Sequence, residues 1–279
     1  MTAEGFELAP GIVLGRGGLP VIAGPCVIEG RDWLVGVGQQ LQAMSHRLGL
    51  PIVFKSSFDK ANRSSGDSFR GPGLVEGLAA LAEVREATGL PVLTDVHEPG
   101  QCAEAARVCD VLQIPAFLCR QTDLVVEAAA TGRPVLIKKG QFMAPADMVR
   151  VVDKARATGN ARIAVTERGS SFGYHNLVVD MRSFELLAEH RIAVLYDVTH
   201  SLQLPGAREK ESGGDRRFAE PLARAAIAAG AAGLYLEVHP DPDSARCDRE
   251  TQLPLERAEK LLLSALEIHR SRVAEGPWV

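Results

Sequence analysis

Lys55, Lys60, Arg63 and Arg70 fall within eighteen residues, 54–71, together with five serines and Asn62. They follow directly on a short apolar run at 50–54. Ammonium and guanidinium groups carry charge and donors, and hydroxyls and an amide add further hydrogen bonds. A strand that empties into such a segment reads as an anion site, and phosphate is the anion that uses many donors at once. An isolated basic loop has the same composition when it is merely solvated. The rest of the chain decides between the two.

Composition narrows what those cations can serve. The chain has 279 residues, 46% hydrophobic and 24% charged, ample for one large core. A net charge of -4 gives no basic field, so nucleic acid is excluded as an expected partner and positive charge acts locally. No apolar run approaches the roughly 20 residues of a membrane span, so no membrane partner is expected. Residues 1–6 lack the basic and apolar regions of a signal peptide. Cys26, Cys102, Cys109, Cys119 and Cys247 are odd in number and scattered. The expectation is a reduced, cytoplasmic protein, in which a special cysteine is a ligand or nucleophile rather than half of a bridge.

The elements that must hold the cations alternate regularly. Short β-branched runs stand at 20–27, 51–57, 91–97, 110–115, 134–139, 162–168, 193–199 and 233–239. Segments of helical period follow them at 33–48, 75–87, 99–106, 122–130, 145–157, 181–189, 217–229 and 255–273. Residues 6–19 predict a small hairpin, and Gly89 and Gly132 stand where helices end. This pattern predicts one α/β domain over 1–279, a (β/α)8 TIM barrel with a short N-terminal β-hairpin.

Along a strand, successive side chains point to opposite faces. One face, at the C-terminal strand ends, collects Cys26, Lys55 with Ser57, Asp95 with His97, Gln113, Lys138, Arg168, His200, and Glu237 with His239. Barrel enzymes build their sites at that end. With Lys60, Lys139 and Arg63 added, the mouth has more cations than one monoanion needs. It calls for a small, highly anionic substrate, or two of them. There is no Gly-x-Gly-x-x-Gly or Walker loop to favour a nucleotide.

Several stretches carry a closer likeness: Gly24-Pro-Cys-Val-Ile-Glu29, the run from Phe54 to Ser65, Leu112 to Asp123, Lys138-Lys-Gly-Gln-Phe142, Thr166-Glu-Arg-Gly169, Asp197 to Pro205, and Glu237 to Pro242. In this order, over roughly residues 12–270, the chain resembles the 3-deoxy-D-manno-octulosonate 8-phosphate synthases. The related 3-deoxy-D-arabino-heptulosonate 7-phosphate synthases share the barrel and the Gly-Pro-Cys start. They usually carry a Lys-Pro-Arg-Thr-Ser type motif where this chain has Lys55 to Arg63. The resemblance implies condensation of phosphoenolpyruvate with D-arabinose 5-phosphate and water, in lipopolysaccharide biosynthesis. It implies that Lys138 and Arg168 hold the phosphoenolpyruvate phosphate near the backbone of Ala116. Lys55, Ser57, Lys60 and Gln113 then surround its carboxylate and enol carbon. Asn62 and Asp95 contact the sugar, and Lys60 polarises its aldehyde. Arg63 and Ser64 reach the sugar phosphate in a neighbouring subunit's site, within a homotetramer. Lys60, Asn62, Asp95 and His200 are the expected catalytic residues.

That family divides into metal-requiring and metal-independent enzymes, and the latter usually carry Asn where this chain has Cys26. The resemblance therefore implies the metal-dependent type, with Cys26, His200, Glu237 and Asp248 as ligands. One thiolate, one imidazole and two carboxylates suit a divalent transition metal ion, whether zinc, iron, manganese or cobalt. Such an ion positions either the aldehyde or the attacking water. Cys247, beside Asp248, is a departure: it could oxidise with Cys26 if the metal is lost. The glycine-rich, charged segment 203–217 is expected to be a mobile loop that closes over the mouth. Competing readings are a metal-dependent aldolase, a sister synthase using erythrose 4-phosphate or a mannosamine, and a phosphosugar-binding regulator that kept the barrel.

Overall fold

A computed structural model of the chain describes residues 5–15, 17–61, 69–206 and 213–275. Strands β1 (Phe6–Ala9) and β2 (Ile12–Leu14) pair antiparallel as the N-terminal hairpin. The barrel then begins with β3 (Val21–Gly24), α1 (Arg31–Leu48), β4 (Ile52–Lys55) and α2 (Leu74–Thr88). It continues through β5 (Val92–Asp95), α3 (Pro99–Val108), β6 (Val111–Ile114), α4 (Thr122–Ala130), β7 (Val135–Lys138) and α5 (Asp147–Arg156). After β8 (Ile163–Glu167) a short hairpin, β9 (Ser170–Gly173) and β10 (Asn176–Val178), precedes α6 (Ser183–Ala188) and β11 (Val194–Asp197). A second small hairpin joins β12 (Gln203–Leu204) to β13 (Gly213–Gly214), before α7 (Ala219–Ala228) and β14 (Gly233–His239). The short β15 (Leu253–Pro254) leads into α8 (Leu255–Glu275).

The parallel strands run β3, β4, β5, β6, β7, β8, β11, β14 around a circle, and β14 closes it by pairing with β3. This is the (β/α)8 barrel that the alternation predicts. The helices follow from local sequence. In α1, Leu34, Val37, Leu41, Met44 and Leu48 recur at helical spacing and are buried against the strands. Gly89 caps α2 in the left-handed region, at φ 71°. The β9–β10 and β12–β13 hairpins fall outside the eight-fold rhythm. Their segments are too short and too exposed to show a period, and the first turns through Tyr174 and His175, both at φ 55°.

Two layers fill the barrel. The lower layer is apolar: Ile22, Val53, Leu93, Val111, Leu136, Ala164, Leu195 and Tyr235, packed on Leu8, Ile12 and Leu14 of the hairpin. The hairpin is thus the floor of the barrel. Two residues further along the same strands, the same inward face carries Gly24, Lys55, Asp95, Gln113, Lys138, Thr166, Asp197 and Glu237. One step of the pleat changes the interior from hydrocarbon to charge. Gly24 is required there by close approach, because a Cβ would lie 2.0 Å from the Lys55 carbonyl oxygen. No helix among the described residues is long and apolar enough to cross a membrane.

Candidate active site

At the C-terminal strand ends the charged layer opens into a cavity of about 410 Å³. Lys55, Lys60, Asp95, Ala116, Lys138, Arg168, His200, Glu237 and Asp248 all contribute to its wall. Lys55 sits at its base, 2% exposed, between two carboxylates: 3.3 Å from Asp95 and 3.1 Å from Glu237. Asp95 also accepts hydrogen bonds from Ser57 Oγ and Gln113 Nε2. Burial would raise the Asp95 pKa, but Lys55 and Lys60 outweigh it and hold the group well below the usual carboxylate range. Ser57 and Gln113 do not face the cavity; they set the orientation of Asp95.

The other cations are in the opposite condition. Burial lowers the Lys60 pKa to about 8, with Lys55 adding to the effect and Glu237, 3.8 Å away, opposing it. Burial also lowers Lys138 and Arg168, more than their neighbouring carboxylates restore. Arg168 is 4% exposed, and its Nη1 has no hydrogen-bond partner among the described residues. Lys138 lies 3.6 Å from the centre of the Tyr235 ring and 2.6 Å from Asp197. Three desolvated cations facing one cavity favour an anion, which would restore the interactions that burial removed.

Beside them is a group of electron-pair donors. Ligand atoms of His200, Glu237 and Asp248 lie within 4.8 Å of one another. His200 Nδ1 is 2.8 Å from Asp197 Oδ2, and its backbone N–H donates to Oδ1 at 2.9 Å. In the tautomer that donates Nδ1–H to Asp197, Nε2 turns its lone pair toward Glu237 Oε2, 3.5 Å away. That oxygen is buried without a hydrogen-bond partner among the described residues. Burial would raise the Glu237 pKa, yet His200, Lys55 and Lys60 bring it down to about 2. Two lone pairs facing across 3.5 Å, with a third from Asp248, fit a divalent cation. Asp248 holds its carboxylate there at φ 49°, a left-handed conformation that aspartate adopts more readily than most residues.

Cys26 joins this group through Asp248 and not directly. Its Sγ lies 2.9 Å from Asp248 Oδ2 and is bonded to Cys247, with the Cα atoms 6.6 Å apart. The bridge departs from the expectation of reduced cysteines and matches the oxidation of Cys247 with Cys26 that the sequence allows when metal is lost. Gln252 accounts for the approach across 221 residues. It accepts from the Cys26 backbone N–H at 3.1 Å and donates to the Cys247 carbonyl at 2.8 Å. Reduced, the pair puts thiols beside Asp248. Denatured without reductant, the protein is expected to titrate three thiols, those of Cys102, Cys109 and Cys119, and five after reduction. Five in both conditions would contradict the bridge.

Two residues expected in the mouth are elsewhere. Lys139 follows Lys138 and so faces the other way, 3.4 Å from Glu167 and donating to Ser170 Oγ at 2.9 Å. His239 packs against Trp33, with ring centres 5.0 Å apart, and lies 3.5 Å from Glu29. Beyond Glu237, β14 leaves the barrel and pairs with β15, which carries His239 away from the cavity. Asn62, Arg63 and Ser64 lie outside the described residues, as do 207–212 of the expected mobile loop. Three neighbours of the site were not assigned roles from sequence. Asp197 was legible as a polar end to an apolar strand. Tyr235 and Gln203 gave no such signal.

The DAHP synthetase I family matches residues 3–271 of the chain. Among curated relatives, the 2-dehydro-3-deoxyphosphooctonate aldolase of Syntrophobacter fumaroxidans is 55% identical over 265 residues, covering 95% of this chain and 92% of the relative. The protein of the same name from Trichlorobacter lovleyi is 54% identical over 265 residues, covering 94% and 97%. That of Nitratidesulfovibrio vulgaris is 56% identical over 248 residues, covering 88% and 91%. The barrel, its charged mouth and these likenesses agree: the chain belongs to the DAHP synthetase I family, among the 2-dehydro-3-deoxyphosphooctonate aldolases.

Proposed function

We infer that this chain is a 3-deoxy-D-manno-octulosonate 8-phosphate synthase, the activity named for its relatives as 2-dehydro-3-deoxyphosphooctonate aldolase. It joins phosphoenolpyruvate, D-arabinose 5-phosphate and water, releases inorganic phosphate, and serves lipopolysaccharide biosynthesis. The observation that carries this reading is the set of buried cations Lys60, Lys138 and Arg168, whose pKa values burial has lowered around one cavity. Two phosphorylated substrates, one also a carboxylate, match that charge.

Lys138 and Arg168 bind the phosphoenolpyruvate phosphate, with Arg168 Nη1 free to donate. Lys55 meets its carboxylate, oriented by Ser57, Gln113 and Asp95. The enol carbon C3 attacks the sugar aldehyde, water adds at C2, and the C2–O bond to phosphate breaks. Lys60 Nζ hydrogen-bonds to the aldehyde oxygen. With its pKa near 8 it can pass a proton to the alkoxide that forms. Asn62 and Asp95 hold the sugar hydroxyls. The protein aligns two anions that repel in water and keeps stray water out.

In the reduced enzyme Cys26, His200, Glu237 and Asp248 would hold a divalent transition ion: zinc, iron, manganese or cobalt. Such an ion supplies Lewis-acid polarisation of the aldehyde or of the attacking water. The cytoplasm, where thiols stay reduced, is the compartment that suits Cys26 in this role. The working enzyme is a homotetramer in this reading, with Arg63 and Ser64 completing a neighbouring subunit's site. Exposed Phe117, Phe142, Phe172 and Tyr174, all in segments that follow the C-terminal ends of barrel strands, support contact between copies there.

Phosphate release from phosphoenolpyruvate tests the choice of sugar. The reduced, metal-supplied protein is expected to release phosphate with arabinose 5-phosphate and not with erythrose 4-phosphate. The reverse preference would assign the chain to the sister synthases. Release with neither, despite tight phosphosugar binding, would favour a regulator.

A further inference from the structure

Each cation assigned to the phosphate is tied, through one further side chain, to a residue of the cation site. On one wall Gln203 Oε1 accepts from Arg168 Nη2 at 2.6 Å, while its Nε2 donates to Asp248 Oδ1 at 3.2 Å. On the other wall Asp197 Oδ2 takes Lys138 Nζ at 2.6 Å and His200 Nδ1 at 2.8 Å. Asp197 is fully buried, and burial alone would raise its pKa. His200 and Lys138 reverse this and hold the group far below the usual carboxylate range. Gln203 stands at the start of β12, in the cavity wall.

We propose that Gln203 and Asp197 are positioning residues that couple the divalent-cation site to the phosphate site, so that each ligand strengthens binding of the other. This rests on the assignment of phosphate to Lys138 and Arg168. The chemistry at Gln203 is specific to an amide. Arg168 offers only donors and Asp248 only acceptors, so the residue between them must accept on one side and donate on the other. A carboxylate in its place would face Asp248 with like charge. A hydrocarbon would leave buried Arg168 without that partner. When a cation binds Asp248, the carboxylate is fixed, the amide with it, and Arg168 keeps its Nη1 turned to the phosphate. Asp197 acts in the same way, fixing the His200 ring and the Lys138 ammonium from one oxygen. Coupling of this kind is reciprocal for binding free energies.

The test is phosphoenolpyruvate titration by calorimetry on the reduced full-length chain, without sugar, with and without saturating Mn²⁺. In the wild type the ratio of the two dissociation constants is expected to be about 5-fold or more, within the usual range of such coupling. The Mn²⁺ dissociation constant, read by electron paramagnetic resonance, should shift by the same factor when phosphoenolpyruvate is present. Gln203→Leu is expected to bind both ligands with the ratio cut to less than half, since direct attraction between the ion and the anion persists while the route through the amide is lost. Gln203→Met, of similar length and flexibility, gives the same reading should the leucine variant fold poorly. Variants that keep the wild-type ratio overturn the proposal and leave the assigned reaction intact. A wild type that binds no phosphoenolpyruvate overturns both.

Discussion

Lys55→Met is expected to lower kcat/KM for phosphoenolpyruvate by about a thousandfold and to destabilise the fold by about 3–5 kcal/mol. Methionine fills nearly the same volume, so the loss isolates the charge. Among the described residues, Lys55 is the one cation within 3.5 Å of both Asp95 and Glu237. Without it, two buried carboxylates face one another with only the more distant Lys60, Lys138, His97 and His200 to compensate. Both carboxylates have pKa values below the ordinary ones in the wild type, so their ionised forms stabilise the fold at neutral pH. For Glu237 that contribution is lost as pH falls from its ordinary 4.5 toward about 2. Urea unfolding should therefore show the variant far weaker at pH 7, with the gap narrowing over that acid window. A variant with wild-type unfolding midpoints at pH 7 would contradict the buried triad.

Removing divalent metal from the reduced enzyme with a chelator is expected to lower kcat by at least about a hundredfold, because Lewis-acid stabilisation is worth several kcal/mol. Re-addition of a transition ion should restore it. Glu237→Gln should weaken metal binding as well as turnover, since Oε2 is the buried oxygen left without a partner opposite His200 Nε2. Cys26→Asn should lower the metal dependence more than it lowers stability. Full activity after chelation, with no metal found by elemental analysis, would contradict the cation site. The Cys26–Cys247 bridge adds a condition: reconstitution is expected only after reduction, because a bridged sulfur is no longer a thiolate ligand.

The barrel was legible because it is periodic. Each inward layer repeats every two residues, so the sequence alone places Lys55, Asp95, Gln113, Lys138 and Glu237 on one face. The same rule fails for His239, where β14 leaves the barrel, and it turns Lys139 outward, because its neighbour Lys138 holds the inner face. Gln203 was harder. It lies in a two-residue strand outside the eight-fold rhythm, where position depends on partners distant in the chain, Arg168 and Asp248, while Cys247 stood out only as a departure beside Asp248, and its reach to Cys26 depends on Gln252. No period encodes such contacts. Tyr235 reads as one more apolar strand residue, and only its distance to Lys138 shows that its ring supports a cation.

The proposed reaction joins two phosphorylated substrates at this mouth by a carbon–carbon bond. Mass analysis of the product, measured together with phosphate release in the reduced and metal-supplied enzyme, tests it most directly. One eight-carbon sugar-acid phosphate is expected for each phosphate released from phosphoenolpyruvate and arabinose 5-phosphate. Phosphate released without that product, or a product formed only with a different sugar phosphate, would contradict it.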